Sequence, residues 1–290
     1  MSWPSPPAFE AIPPGLRVGA VSYLNAKPLY YRLTEWAPEL ELTIDVPSRL
    51  ASGLRDGTLD VALVPSIEAI RGAVSEGLTI LPQLAIAARK EVRSVKLFAR
   101  TPWKAVRRLA LDEGSRTSQA LCRIWLAEVQ GVCPETIETH PLGVPIEESL
   151  ADAVLLIGDR AMTVNPEPFV AVVDLAHAWN VWTGLPFVFA VWAVRPGVDL
   201  GGLPHLLIHC RDQSLAQADL LAQRFGVPLG LDRAEALDYL TQVLSYDLGP
   251  TELRALRLFA RKAAALGLAP EGVDLVFHQP PRGLPLETRR

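Results

Sequence analysis

Four short turns gather hydroxyl, amide and carboxyl side chains where an apolar run gives way to a helical pattern. Ser22, Tyr23 and Asn25 stand in GAVSYLNAKP, Ser66 follows Pro65 in DVALVPSIEAI, Ser115, Thr117 and Ser118 lie in DEGSRTSQAL, and Gly158 and Asp159 lie in VLLIGDRAM. A helix start leaves N–H groups unpaired and carries partial positive charge, so a carboxylate or phosphate is the guest such turns suit. Taken singly, each reads equally as a cap, since Ser, Thr, Asn and Asp satisfy those same N–H groups. Four at matching places argue for an anion held among them.

Other chemistry is thinly represented. The sequence contains no G-x-S-x-G, P-loop, G-x-G-x-x-G or zinc-ligand spacing, so the common catalytic engines are missing. His205 and His209 are four apart on a helical pattern with no carboxylate nearby, and read as packing or surface residues rather than metal ligands. His177, Trp179 and Trp182 precede a Gly-Leu-Pro turn; core packing is the first reading, an aromatic wall for a ring-shaped ligand the second. No metal is called for.

The 28 basic and 32 acidic residues are spread along the chain, giving −4 overall and no dense basic track, which argues against nucleic acid as a partner. FVFAVWAV is the most apolar window and falls far short of the ~20 residues of a membrane helix. MSWPSPPAFEAIPPG lacks the basic start and apolar stretch of a signal peptide, so a cytoplasmic location is expected. Cys122, Cys133 and Cys210 form no close pair and are expected to be reduced.

Strands must present these turns. RVGAVS (17–22), LTIDV (42–46) and DVALV (60–64) read as strands, alternating with amphipathic stretches that begin near Asn25 and Pro47. Pro28 and Pro47 suit first helical turns, where a missing N–H does no harm. A second set follows: RRLALD (107–112) as a strand, SRTSQALCRIWLAEV (115–129) as a helix, DAVLLIG (152–158) as a strand. LRDGTLDVALVPSIEAI (54–70) and EESLADAVLLIGDRAM (147–162) repeat one order of helix end, Asp, apolar strand, polar turn and helix. The pattern predicts an α/β protein of two lobes with parallel sheets, and ligands of such sheets sit beyond the carboxyl ends of the strands. Facing lobes would bring all four turns to one cleft.

RSVKLFAR (93–100) and GLPFVFAVWAV (184–194) are extended where the chain passes between lobes and are the expected hinges. The division is then a loose extension over 1–16, lobe 1 over 17–96 plus 191–270, lobe 2 over 97–190 and a mobile tail over 271–290. LLIHCRDQSLAQADLLAQRFG (206–226) and TELRALRLFARKAAALGL (251–268) predict helices packed on lobe 1, with Gly226 and Gly267 as their caps.

RVGAVSYLNAKPL, VPSRLASGLRDGTLDVALVPSIEAI, RSVKLFAR, the Ser-x-Thr-Ser turn at 115–118, AVLLIGDRAM, WNVWTGLPFVFAVWAVRP and LSYDLGPTELRALRLF carry a resemblance. Together, from Arg17 to Leu268, they resemble the chorismate dehydratase family of menaquinone biosynthesis by the futalosine route. The resemblance implies a type II periplasmic-binding-protein-like fold and loss of water from chorismate to give 3-[(1-carboxyvinyl)oxy]benzoate, without metal or organic cofactor. It implies Asn25 and Ser94 in the active site and a carboxylate held by Ser115, Thr117 and Ser118. Ser22, Tyr23, Ser66, Gly158 and Asp159 complete the expected substrate contacts.

An amide is no ordinary base, so Asn25 is expected to orient the substrate and donate hydrogen bonds, the proton passing to the substrate's own enolpyruvyl carboxylate. Ser66 is followed by Ile67-Glu68-Ala69 where the family commonly carries a second Ser and an aromatic residue, which leaves its role open. Two other readings stand beside this one: a cytoplasmic small-carboxylate binding protein or sensor, and the related 1,4-dihydroxy-6-naphthoate synthase, whose opening motif differs from SYLNAKP.

Overall fold

The computed structural model describes residues 6, 8 and 10–278. In chain order the first group of elements is β1 (Arg17–Val21), α1 (Leu33–Trp36), β2 (Glu41–Asp45), α2 (Pro47–Arg55), β3 (Val61–Pro65), α3 (Ser66–Ser75) and β4 (Thr79–Ala88). Next come β5 (Val95–Ala99), β6 (Arg108–Asp112), α4 (Arg116–Trp125), β7 (Thr136–His140), β8 (Ala153–Ile157), α5 (Asp159–Thr163), β9 (Ala171–Asp174) and α6 (Leu175–Thr183). The chain ends in β10 (Phe187–Val194), α7 (Leu203–Ala216), α8 (Ala218–Leu221), α9 (Arg233–Asp238), β11 (Leu244–Ser245) and α10 (Pro250–Ala265).

Two sheets form, one per lobe, with strand orders β11-β4-β10-β3-β1-β2 and β7-β6-β8-β5-β9. Strand β1 runs parallel to β2 and β3, and β6 runs parallel to β7 and β8. Strand β10 lies antiparallel between β3 and β4, as β5 lies antiparallel between β8 and β9. The sheets are therefore mixed, and the all-parallel expectation fails where β10 and β5 are inserted against the direction of their neighbours. Central strands β3, β8 and β10 are buried along their whole lengths, as near-continuous apolar runs covered on both faces should be.

The chain crosses between sheets twice, over 89–94 and through α6 and residues 184–186. The expected hinges, 93–100 and 184–194, are mostly strands β5 and β10, so the boundaries drawn at 96/97 and 190/191 fall inside strands rather than between them. Both crossings are stitched to one carboxylate. Asp174 accepts from the N–H groups of Val92 and Arg93 on the first, and of Ala176 and His177 on the second. Burial nonetheless pushes its carboxyl above the usual carboxylate range.

Several local expectations change. Ile12 and Leu16, placed in the loose extension, are buried in the lobe 1 core. The segment at 276–278 bonds to Ile80 at the start of β4, so the described part of the expected tail is docked; 279–290 lie outside the described residues. Gly226 is no left-handed cap: a Cβ there would stand 2.4 Å from that of Ala236, so close packing explains the glycine. Gly267 does hold a positive φ of 66°, just beyond α10. Trp179 is wholly buried against Phe187 and Phe259, its indole N–H on Pro186 O, and His209 packs edge-on against Trp36.

Candidate active site

A cavity opens between the lobes, at the carboxyl ends of the parallel strands. Its polar lining comes from Tyr23, Asn25, Ser94, Ser115 and Ser118, with Gly158 beside them, over an apolar floor that includes Ile86, Val92, Ile157 and Phe189.

The lobe 2 wall is built around one buried carboxylate. Asp112, the last residue of β6, is fully buried and accepts from Gly114 N at 2.9 Å and Ile157 N at 2.9 Å. Arg160 Nη2 meets the same carboxylate at 2.5 Å. One side chain thus fixes both turns that face the cavity, 113–118 and 157–160. At the head of α4, Ser115 Oγ accepts from Ser118 N and Ser118 Oγ at 3.4 and 3.2 Å. Ser115 keeps its own proton for a ligand.

The lobe 1 wall leaves polar atoms without partners. After β1 the chain enters a 3-10 helix, Leu24–Leu29, and Tyr23 and Asn25 project at its start. Tyr23 Oη and Asn25 Oδ1 are both buried and lack a hydrogen-bond partner among the described residues. An unmade bond of this kind costs about 1–3 kcal/mol, which a ligand could recover. Burial first, and the Asp112 charge second, raise the Tyr23 phenol's pKa, so it stays a donor. The Tyr23 ring lies against two lobe 2 glycines. A Cβ on Gly158, whose φ is 69°, would stand 3.0 Å from the ring, and one on Gly114 would stand 2.7 Å from Oη.

Ser94 sits on the first crossing. Its carbonyl accepts from Gly158 N at 2.8 Å, and its hydroxyl accepts from Tyr239 Oη at 2.8 Å. Sequence reasoning gave no role to Tyr239 or Asp112. Asp112 read as a strand end, and the LDYLTQV context of Tyr239 reads as apolar helix.

Four expected contacts stand away from the cavity. Ser66 and Thr117 are fully buried and 3.3 Å apart, with Ser66 Oγ donating to Val188 O and Thr117 Oγ1 accepting from Ile67 N. They close the lobes on each other instead of facing a ligand. Asp159 likewise reaches across, accepting from Leu24 N at 3.2 Å; burial raises its pKa, partly offset by that bond and by Lys27. Ser22 lies outside the lining, its N–H on Asp45 O. Glu68, the departure noted in the sequence, bonds Arg116 of lobe 2 and Arg71 at 2.6 Å each.

The sequence profile of a family described as menaquinone biosynthesis matches residues 16–265. A chorismate dehydratase of Thermus thermophilus is 32% identical over 268 residues, covering 87% of this chain and 95% of the relative. A chorismate dehydratase of Campylobacter jejuni is 25% identical over 257 residues, covering 87% and 99%. Among solved structures, a protein of Archaeoglobus fulgidus aligns with a TM-score of 0.68 at 17% identity, covering 88% of this chain and 98% of its own. The periplasmic aliphatic sulphonate binding protein of Escherichia coli aligns at 0.61 and 16%, covering 96% and 97%. At these identities the two structures establish the two-lobed binding-protein fold and nothing finer.

Proposed function

This chain belongs to the menaquinone biosynthesis family whose profile spans it, and we propose on that premise that it is a chorismate dehydratase acting in the futalosine route. The observation that carries the reading is the meeting of Asn25 and Ser94 with Ser115 and Ser118 in one inter-lobe cavity, in a chain alike to chorismate dehydratases over most of its length.

Chorismate carries two carboxylates and a ring hydroxyl. The hydrogen on the ring carbon bearing the enolpyruvyl ether is conjugated, through one double bond, to the ring carboxylate. Its removal moves charge onto that carboxylate, where fixed donors stabilise a dienolate. Ser115 and the N–H groups opening α4 are suited to hold it, without Thr117, whose hydroxyl is committed to Ser66 and Ile67, or Ser118, whose hydroxyl proton goes to Ser115. The proton passes to the substrate's enolpyruvyl carboxylate. The neighbouring C–O bond then breaks and, with that proton, its hydroxyl leaves as water, completing the aromatic ring. Asn25 and Ser94 orient the reacting edge. Closure of the lobes at 89–94 and 184–186 excludes water from the dienolate.

The test is incubation of the purified chain with chorismate, followed by ultraviolet absorbance and mass. Growth of a benzoate-type band with loss of 18 mass units (one water, by stoichiometry, roughly) supports the reading. Binding without turnover favours the sensor, and turnover of only the 1,4-dihydroxy-6-naphthoate synthase's substrate favours that enzyme.

A further inference from the structure

Ser94 is tied to a residue from far along the chain. Tyr239 opens a turn of π-helix, Tyr239–Val243, and is wholly buried. Its Oη donates to Ser94 Oγ at 2.8 Å. One residue earlier, Asp238 accepts from Arg93 Nη1 at 2.8 Å. Consecutive residues 93 and 94 on the crossing are thus joined, rung by rung, to consecutive residues 238 and 239. Arg93 holds φ at 61°, a region unfavourable to any residue with a side chain, and Asp174 takes its N–H at 2.6 Å.

We propose that Tyr239 is a positioning residue that sets the proton direction at Ser94. A hydroxyl has one proton to give. Tyr239 gives its proton to Ser94, so Ser94 presents its own to the cavity. Nearby in the lining, Asn25 Oδ1 is buried and unpartnered among the described residues and is left for the ligand. Burial holds the phenol protonated across the working range, which keeps this order fixed. Beside the first crossing the cavity therefore offers a donor at Ser94 and an acceptor at Asn25, matching a ligand with an ether or carboxylate oxygen next to a hydroxyl. Chorismate has that pairing, with the departing hydroxyl as donor to Asn25; this identification rests on the dehydratase reading.

A buried tyrosine serving the core alone would also want a partner, so stability loss decides nothing. The deciding experiment compares Tyr239→Phe, Ser94→Ala and the double variant in the full chain, with thermal midpoints recorded alongside. Expected are a drop of about tenfold or more in kcat for Tyr239→Phe with KM within about threefold, and a double variant no slower than Ser94→Ala by more than about twofold. Multiplied effects in the double variant, or near-normal kcat in Tyr239→Phe, would overturn the proposal. Crystal structures of the wild type and Tyr239→Phe give a readout independent of turnover. A changed or split Ser94 rotamer supports the assignment, and an unchanged one sinks it even if chorismate proves not to be the substrate. Should Tyr239→Phe not fold, Asp238→Asn loosens the same clamp from outside and is expected to lower kcat by a smaller factor without raising KM; unchanged kcat there counts against the proposal.

Discussion

The two lobes repeat one strand order and part company at the strand ends. Strands β2-β1-β3-β10-β4 of the first correspond to β7-β6-β8-β5-β9 of the second, down to the antiparallel strand each receives after a crossing. Where β6 ends in Asp112, β1 ends in Val21. The carboxylate binds both lobe 2 turns to itself and to Arg160, while beyond the apolar counterpart Tyr23 Oη and Asn25 Oδ1 have no hydrogen-bond partner among the described residues. One lobe is a rigid cradle with its hydrogen bonds already made; the other holds groups waiting for a ligand. The difference shows how a duplicated architecture divides labour: topology gives two matching ends, and a single residue at each decides whether that end is internally satisfied.

This contrast can be broken most directly on the lobe 1 side. Asn25→Ala is expected to lower turnover by roughly 100–1,000-fold, the range for loss of one well-placed polar group, with little change in thermal midpoint. Steady-state kinetics beside a melting curve check it, and near-normal turnover would remove Asn25 from the mechanism. On the lobe 2 side, Asp112→Asn should cost stability first. It leaves Arg160 without its charge partner, for a loss of roughly 3 kcal/mol in urea unfolding. Activity should fall with it, because both cavity turns lose their anchor.

Gly158→Ala probes where the lobes meet. Its added Cβ would press on the Tyr23 ring at 3.0 Å, and the φ of 69° with ψ of −158° suits glycine alone. A cost of about 1–3 kcal/mol follows, with chorismate affinity weakened about tenfold by calorimetry because closure is hindered. The smallest effect concerns Asp159. Its folded pKa is raised by burial, so the folded state binds the proton more tightly than the unfolded chain. Stability should therefore fall as pH rises from the ordinary carboxylate value through the raised one, and the penalty is complete above it. Asp159→Asn keeps an oxygen for Leu24 N–H and removes that penalty. Denaturant unfolding between pH 4 and 7 should show a flatter profile and a gain of at most about 1 kcal/mol at neutral pH.

Legibility followed local pattern strength. The buried runs at β1, β3, β6 and β8 were readable to within a residue or so, because apolar strands bounded by polar turns leave few alternatives, and the exposed edge strand β2 was legible from its β-branched run. Strand β4 was not read: Pro82 and the left-handed Gln83 interrupt it, and a bulge lets it continue. Edge strands β7, β9 and β11 are short or polar and owe their form to a neighbour. At the site, hydroxyl-bearing turns marked the cleft, yet which hydroxyls face it depends on the lobe contact. Ser66 and Thr117 look like ligand donors until they are seen to bond each other. Tyr239 is invisible for the opposite reason, since an apolar helix context hides a phenol whose partner is 145 residues away.

A structure of the Asn25→Ala variant soaked with chorismate, slow enough to retain it, tests the central claim. The account predicts the ring between the lobes, one carboxylate within about 3.2 Å of Ser115 Oγ or an N–H group at the head of α4, and an oxygen of the reacting edge at Ser94 Oγ. Chorismate bound outside this cavity, or lying in it with neither carboxylate at the head of α4, would contradict it.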